Sequence, residues 1–208
     1  MAKIGFLGLG VMGYPMAGHL QTHGHQVTVY NRTQAKADNW VRDHNGAQAA
    51  TPAAAATGVD FVMACVGNDD DLRSVCLGEN GAFSAMDPGA VFVDHTTVSA
   101  QVTKELAGQW GARGGKFIDA PISGGQAGAE NGVLSVMCGG DECRAHTKAA
   151  IARTDHCCRS SDAPLLRRRM LRRASHQAER RWTRATTAYK CAYSARVTAS
   201  SSGSMATA

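Results

Sequence analysis

Three glycines at fixed spacing are the first residues whose types suggest chemistry. Gly8-Leu9-Gly10-Val11-Met12-Gly13 is a G-x-G-x-x-G run. Alone the pattern is weak, because glycine is common and the pattern short. Here it follows an apolar run, KIGFL, and opens a helical pattern inside a strand–helix–strand unit. That context gives each glycine a task. The first permits a tight turn, the second lets backbone approach a pyrophosphate, and the third lets helix and strand pack closely. Phosphates then face free N–H groups and the positive end of a helix dipole. The chemistry implied is dinucleotide binding. A glycine turn without a ligand is the alternative.

The second clue is the segment Tyr30-Asn31-Arg32-Thr33, at the end of the next apolar run, QVTVY. A site selective for NAD usually places Asp or Glu there, to accept hydrogen bonds from ribose hydroxyls. No carboxylate stands here. Arg32 can face a 2′-phosphate through its planar fork of donors. Asn31, Arg32 and Thr33 therefore favour NADP, with NAD still possible; a solvated arginine at a helix start is the other reading.

The elements that must position these residues alternate along the chain. Strands are expected at 3–7, 26–30, 60–66, 90–94, 116–119 and 133–137. Helices are expected at 14–23, 33–44, 69–77, 99–112 and 141–152, with Gly24 and Asn45-Gly46 as stops and Ser99 as an N-cap. Strands alternating with helices imply an α/β, doubly wound domain with a mostly parallel sheet. Hydrophobic residues make up 44% of the chain, enough for a core in residues 1–152.

Longer stretches now carry a resemblance. GFLGLGVMGYPMAGHL, VFVDHTTV and IDAPISGGQAGAENGVLSVMCGG strongly resemble the β-hydroxyacid dehydrogenases, the relatives of 3-hydroxyisobutyrate dehydrogenase and tartronate semialdehyde reductase. The similarity spans residues 1 to about 152. It implies an N-terminal Rossmann domain, followed in the family by an all-helical domain. It implies oxidation of a short 3-hydroxy acid to its semialdehyde, or the reverse, with NAD or NADP. By this resemblance, residues 8–13 hold the pyrophosphate. Cys65 and Val66 line the adenosine and ribose path; family members often follow with Pro, where Gly67-Asn68 stands here. Thr96 contacts the cofactor near the nicotinamide. Ser123, Gly124 and Gly125 bind the substrate, since a hydroxyl plus unobstructed glycine N–H groups can cradle a carboxylate.

The resemblance stops where LLRRRMLRRASHQAERRW, residues 165–182, begins to dominate. The family's acid–base group is a lysine in a Gly-x-x-x-Lys-x-x-Asn setting, in the first helix after the Rossmann domain. No Lys lies between Lys148 and Lys190, and no Asn follows Asn131. Arginine holds its proton near neutrality. His176 could titrate, but nothing places it at a site. No catalytic residue is therefore assigned, and the chain is expected to be truncated with respect to the family and inactive.

Composition breaks at the same point. Residues 1–152 hold 10 Lys/Arg and 14 Asp/Glu, a net charge of −4; residues 153–208 hold 12 and 3, a net charge of +9. Of 23 glycines only Gly203 lies in the second part. We expect a dinucleotide-binding domain over 1–152 and a basic, poorly ordered tail over 153–208 in place of the helical domain. A dehydrogenase gene read in a shifted frame would produce such a tail, as would an unrelated sequence joined there. The Met205-Ala206 codons, ATG-GCN, shifted by one base contain a Trp codon. With the preceding Ser-Ser codons read as Ala-Ala, that matches an Ala-Ala-x-x-Trp segment of the family's helical domain.

Two further classes remain on the page. One is an NADP-binding module or pseudoenzyme without turnover. The other, disfavoured, is nucleic-acid binding through the tail's eleven arginines, which offer steep salt dependence but no recognised motif. The N-terminus MAKIGFLGLG lacks a signal-peptide pattern, and no apolar run approaches a membrane span. Seven irregularly spaced cysteines read as reduced thiols without zinc spacing. Cytoplasmic location and no membrane partner are expected. Oligomerisation, usual in the family, is doubtful for this chain.

Overall fold

The computed structural model describes residues 1–140. Five expected strands form. They are β1 (Lys3–Leu7), β2 (Gln26–Tyr30), β4 (Phe61–Ala64), β5 (Val91–Asp94) and β6 (Lys116–Asp119). A two-residue strand, β3 (Ala47–Gln48), joins them at one edge. The sheet order is β3-β2-β1-β4-β5-β6, and every neighbouring pair is parallel. This is a Rossmann-type sheet. The strand order reverses between β1 and β4, the switch point beyond whose carboxyl strand ends ligands bind in such folds.

Helices cover both faces, so the strands read as continuous apolar runs rather than alternating ones. Against one face lie α1 (Gly13–Thr22) and α2 (Gln34–His44). Their buried Met16, Leu20 and Trp40 pack with Ile4, Phe6, Val27 and Val29. Against the other face lie α3 (Pro52–Ala56), α4 (Asp69–Leu77) and α5 (Ala100–Gly111). There Leu72, Cys76, Leu106 and Trp110 pack with Leu7, Val62 and Phe92. Gly5 lets α3 lie against β1, since a Cβ at that position would meet the Ala55 carbonyl oxygen.

The expected helix ends hold. Asn45 closes α2 in the left-handed conformation, with φ of 54°. Ser99 caps α5 by accepting a hydrogen bond from the Val102 N–H at 3.3 Å. Three details correct the sequence reading. Residues 133–137 do not add a strand to the main sheet. Only β8 (Ser135–Val136) forms, antiparallel to β7 (Ile122–Ser123) in a separate two-stranded ribbon. The strand expected over 60–66 shortens to β4, because Cys65 and Val66 turn out into the crevice loop. The third is a group of short elements not expected from the sequence, namely β3, α3 and α6 (Gly125–Glu130). The helix expected over 141–152, the boundary near 152 and the basic tail all lie outside the described residues. Among the described residues no helix is long and apolar enough to cross a membrane.

Candidate dinucleotide and substrate site

The phosphate loop is built by close backbone approach. Gly8 has φ of +99°, and a Cβ there would meet the Cys65 carbonyl oxygen. A Cβ on Gly13 would meet the Gly8 carbonyl oxygen. These two glycines are required by the fold itself. Gly10 is different: a Cβ there would have nothing within 4 Å. The loop thus keeps one glycine bordering open space at a helix start. Among the described residues, the N–H groups of Gly10, Val11 and Met12 donate to no acceptor, and the Met12 side chain does not cap α1. This donor set suits a pyrophosphate, and the residues present fit the group.

Asn31 has a task that its position in sequence did not reveal. Its Oδ1 accepts from the Leu9 N–H at 2.9 Å, and its Nδ2 donates to the Thr33 carbonyl at 3.0 Å. The end of β2 is thereby clamped to the phosphate loop. Thr33 is the N-cap residue of α2 in extended conformation, without a side-chain cap bond. Arg32 is not simply solvated. Its Nη1 donates to Asp71 Oδ1 at 2.9 Å, although its side chain is 85% exposed. An exposed pair of this kind contributes little to stability.

Thr96 is buried behind the crevice, 3% exposed. Its Oγ1 accepts from the Val66 N–H at 3.1 Å, and its own N–H donates to Asp94 Oδ1 at 2.9 Å. It thus links the ends of β4 and β5. A second link runs from the Ser99 N–H and hydroxyl to the two Asp69 carboxylate oxygens, at 2.9 and 2.5 Å. Burial pushes the Cys65 thiol up to about 11, so it stays neutral where it packs against the core. Ser123 is exposed in β7, opposite Ser135. Gly124 and Gly125 follow with φ of +134° and +62°, backbone that other residues rarely adopt. The ribbon and α6 are anchored on α1. The His19 Nε2 lies 2.9 Å from the Ala129 carbonyl oxygen, which ties the Ser123 element to the helix that starts at the phosphate loop.

Sequence reasoning overlooked Asp94. Its side chain is buried, and its Oδ2 finds no hydrogen-bond partner among the described residues. Burial pushes its carboxyl up to about 6. Beside it, burial holds His95 down to about 4, against the opposing effect of the Ala120 carbonyl that its Nδ1 meets at 2.8 Å. The signs are opposite. For Asp94 the folded value exceeds the unfolded one, so stability is full below about pH 4 and falls as pH rises through about 6. For His95 the folded value is the lower, so stability is full above about pH 6.5 and falls as pH drops through about 4. Asp94→Asn should therefore gain about 1–3 kcal/mol relative to wild type between pH 4.5 and 7.5. Urea melts of both proteins at the two pH values check this. Parallel pH curves would show that the carboxyl is not held out of its ionised form.

The comparisons with known proteins bear on this site. The family described as the NAD binding domain of 6-phosphogluconate dehydrogenase matches residues 3–155. The chain belongs to that family. The resemblance to the 3-hydroxyisobutyrate dehydrogenases, read from residues 1–152, is borne out by a probable 3-hydroxyisobutyrate dehydrogenase-like protein of Arabidopsis thaliana, 43% identical over 141 residues, 67% of this chain and 42% of the relative, and by solved structures. An uncharacterized oxidoreductase of Shewanella frigidimarina is 57% identical over 158 residues, 76% of this chain and 54% of the relative. The structure of Mycobacterium tuberculosis 3-hydroxyisobutyrate dehydrogenase with L-serine superposes with a TM-score of 0.65. It is 30% identical, covering 74% of this chain and 50% of that one. The structure of Psf3 in complex with NADP+ and 2-OPP superposes with a TM-score of 0.64 at 25% identity, over 72% of this chain and 52% of that one. The chain thus spans about half the length of the relatives it matches. It is an NAD(P)-binding, oxidoreductase-type domain.

Proposed function

We propose that this chain binds NADP(H) in preference to NAD(H), on a Rossmann domain of a 3-hydroxyisobutyrate dehydrogenase-type oxidoreductase. The carrying observation is the open space beside Gly10, in a loop whose Gly10, Val11 and Met12 N–H groups donate to no acceptor among the described residues. In this reading residues 8–13 hold the pyrophosphate, and Asn31 fixes their position. Arg32 meets the 2′-phosphate beside Thr33. Cys65 and Val66 border the adenosine path, and Thr96 holds the β4 and β5 ends at the nicotinamide side. When bound, the nicotinamide supplies the hydride acceptor or donor. Ser123, Gly124 and Gly125 hold the carboxylate of a short 3-hydroxy acid or its semialdehyde, and the left-handed glycines keep that N–H surface unobstructed. A Rossmann domain over 1–152 followed by a distinct basic segment over 153–208 is part of the proposal. It is supported by the end of the family match at residue 155 and by the break in charge and glycine content.

In the 208 residues the Gly-x-x-x-Lys-x-x-Asn setting does not occur. The reading is therefore a binding-competent chain of an oxidoreductase family that lacks its own acid–base group. Titration with NADPH and with NADH, following nicotinamide fluorescence, tests the cofactor assignment. A charge-assisted contact to phosphate is worth roughly 1.5–3 kcal/mol, so NADPH should bind about tenfold more tightly or better. Arg32→Ala should remove most of that difference. Equal affinities in the wild type, or no effect of the substitution, would overturn the NADP preference.

A further inference from the structure

The Arg32–Asp71 pair joins two loops that the sheet order brings to either side of β1. Arg32 follows β2 and Asp71 lies in the first turn of α4, after β4; both strands pair with β1. The 2.9 Å contact therefore links the segments that follow β2 and β4, the two strands flanking β1. Its two members are held very differently. Asp71 is anchored. Its N–H donates to Asn68 Oδ1 at 2.9 Å, its Oδ2 accepts from Asn68 Nδ2 at 3.3 Å, and its side chain is 29% exposed. Arg32 is an exposed arm attached to it. The two neighbouring carboxylates are engaged elsewhere, Asp69 with Ser99 and Asp70 with Arg73 at 3.3 Å.

We propose that Asp71 is a specificity-determining residue, which holds Arg32 away from a 2′-phosphate and so narrows the preference for NADP(H) over NAD(H). This rests on the reading that residues 8–13 bind a dinucleotide and that Arg32 reads its 2′ position. To meet a 2′-phosphate, Arg32 must give up its 2.9 Å contact with a fixed carboxylate. That cost does not apply to a 2′-hydroxyl, which can itself donate to a carboxylate. Asp71 thus supplies, from α4, the acidic group that the end of β2 lacks.

The full 208-residue chain is compared as wild type, Asp71→Asn, Asp70→Asn, Arg32→Ala and the Arg32→Ala/Asp71→Asn double variant, with NADPH and NADH dissociation constants measured by fluorescence titration. Asp71→Asn should tighten NADPH about 5–10-fold, the scale of one close charge contact near the surface, and change NADH less than about twofold. Asp70→Asn removes the same charge one residue away and should shift NADPH less than about twofold. With Arg32 replaced, the Asp71→Asn gain should shrink to about twofold or less. Equal tightening of both cofactors overturns the proposal. So does a matching gain from Asp70→Asn, or a gain that persists without Arg32. If Arg32→Ala weakens NADPH but Asp71→Asn leaves it unchanged, this inference alone falls. If no variant distinguishes the cofactors, or neither binds, the NADP reading falls with it.

Discussion

Alanine at position 10 should leave the domain as stable as before and remove its cofactor; alanine at position 13 should destabilise the domain itself. Both residues belong to one hexapeptide, yet their surroundings differ. The Gly10 backbone is not in the left-handed region, and a methyl there would point into open space. No native contact is disturbed, so the melting temperature should stay within about 2 °C, as for an exposed substitution. The same methyl would stand where backbone must approach the pyrophosphate. A loss near 100-fold in NADPH affinity, about 2.7 kcal/mol, is expected. A methyl on Gly13 would run into the Gly8 carbonyl oxygen, a backbone atom that cannot swing aside. Helix propensity favours alanine by only about 1 kcal/mol, whereas forced overpacking costs ~1–3 kcal/mol or more. Gly13→Ala should therefore lower the melting temperature by several degrees. Paired thermal melts and NADPH titrations of the two variants decide it. A Gly10→Ala protein that binds normally would show that the open space beside Gly10 is not where the pyrophosphate lies.

The contrast also marks what could be read from sequence. The G-x-G-x-x-G run was legible because its meaning is local: a strand ends, the chain turns, a helix begins. Arg32 was legible as a type of residue, but its partner was not. Asp71 lies 39 residues further on and reaches Arg32 only because β1 sits between β2 and β4. His19 meeting the Ala129 carbonyl, 110 residues away, is equally invisible before the fold is known. The edge strand β3 and helix α3 fall in AQAATPAAAA, where alanine gives no apolar period. Thr51 caps that helix, accepting from the Ala54 N–H at 3.1 Å, and Pro52 opens it; neither was assigned from the sequence. Residues 133–137 read as a largely apolar, strand-like run, but the sheet already ended at β6, and Ser135 and Val136 paired instead with Ser123 and Ile122. That pairing steadies the Ser-Gly-Gly element, so the misread strand turns out to support the candidate substrate site. Asp94 went unnoticed because an acidic residue closing a strand looks like a turn residue until its burial is seen.

Turnover of 3-hydroxyisobutyrate, glycerate or a related acid by the 208-residue chain should stay near background, even where NADPH binding is intact. Hydride can leave the carbon only as the hydroxyl proton finds an acceptor, and a positioned acid–base group typically supplies ~10²–10⁴-fold. Within this sequence no lysine lies between Lys148 and Lys190, and the arginines of 165–182 do not release protons near neutrality. Ser123 can hold a carboxylate but is a poor proton acceptor. The described Asp94 cannot substitute. Its side chain is fully buried, with Oδ1 committed to the Thr96 N–H and Oδ2 closed off from solvent, so neither oxygen is open to a substrate. Positioning should fail as well. Ser123, Gly124 and Gly125 are exposed, and about 1 Å of misplacement against the nicotinamide can cost another ~10²-fold. The two losses are independent in origin and compound. The assay is NADP+ or NAD+ reduction by each acid, run beside cofactor titration on the same preparation. Binding without turnover is the expected pair of results. A turnover number of about 1 s⁻¹ or more, inside the ordinary enzyme range, would mean that some group in residues 141–208 accepts the proton. His176 would then be the first residue to replace.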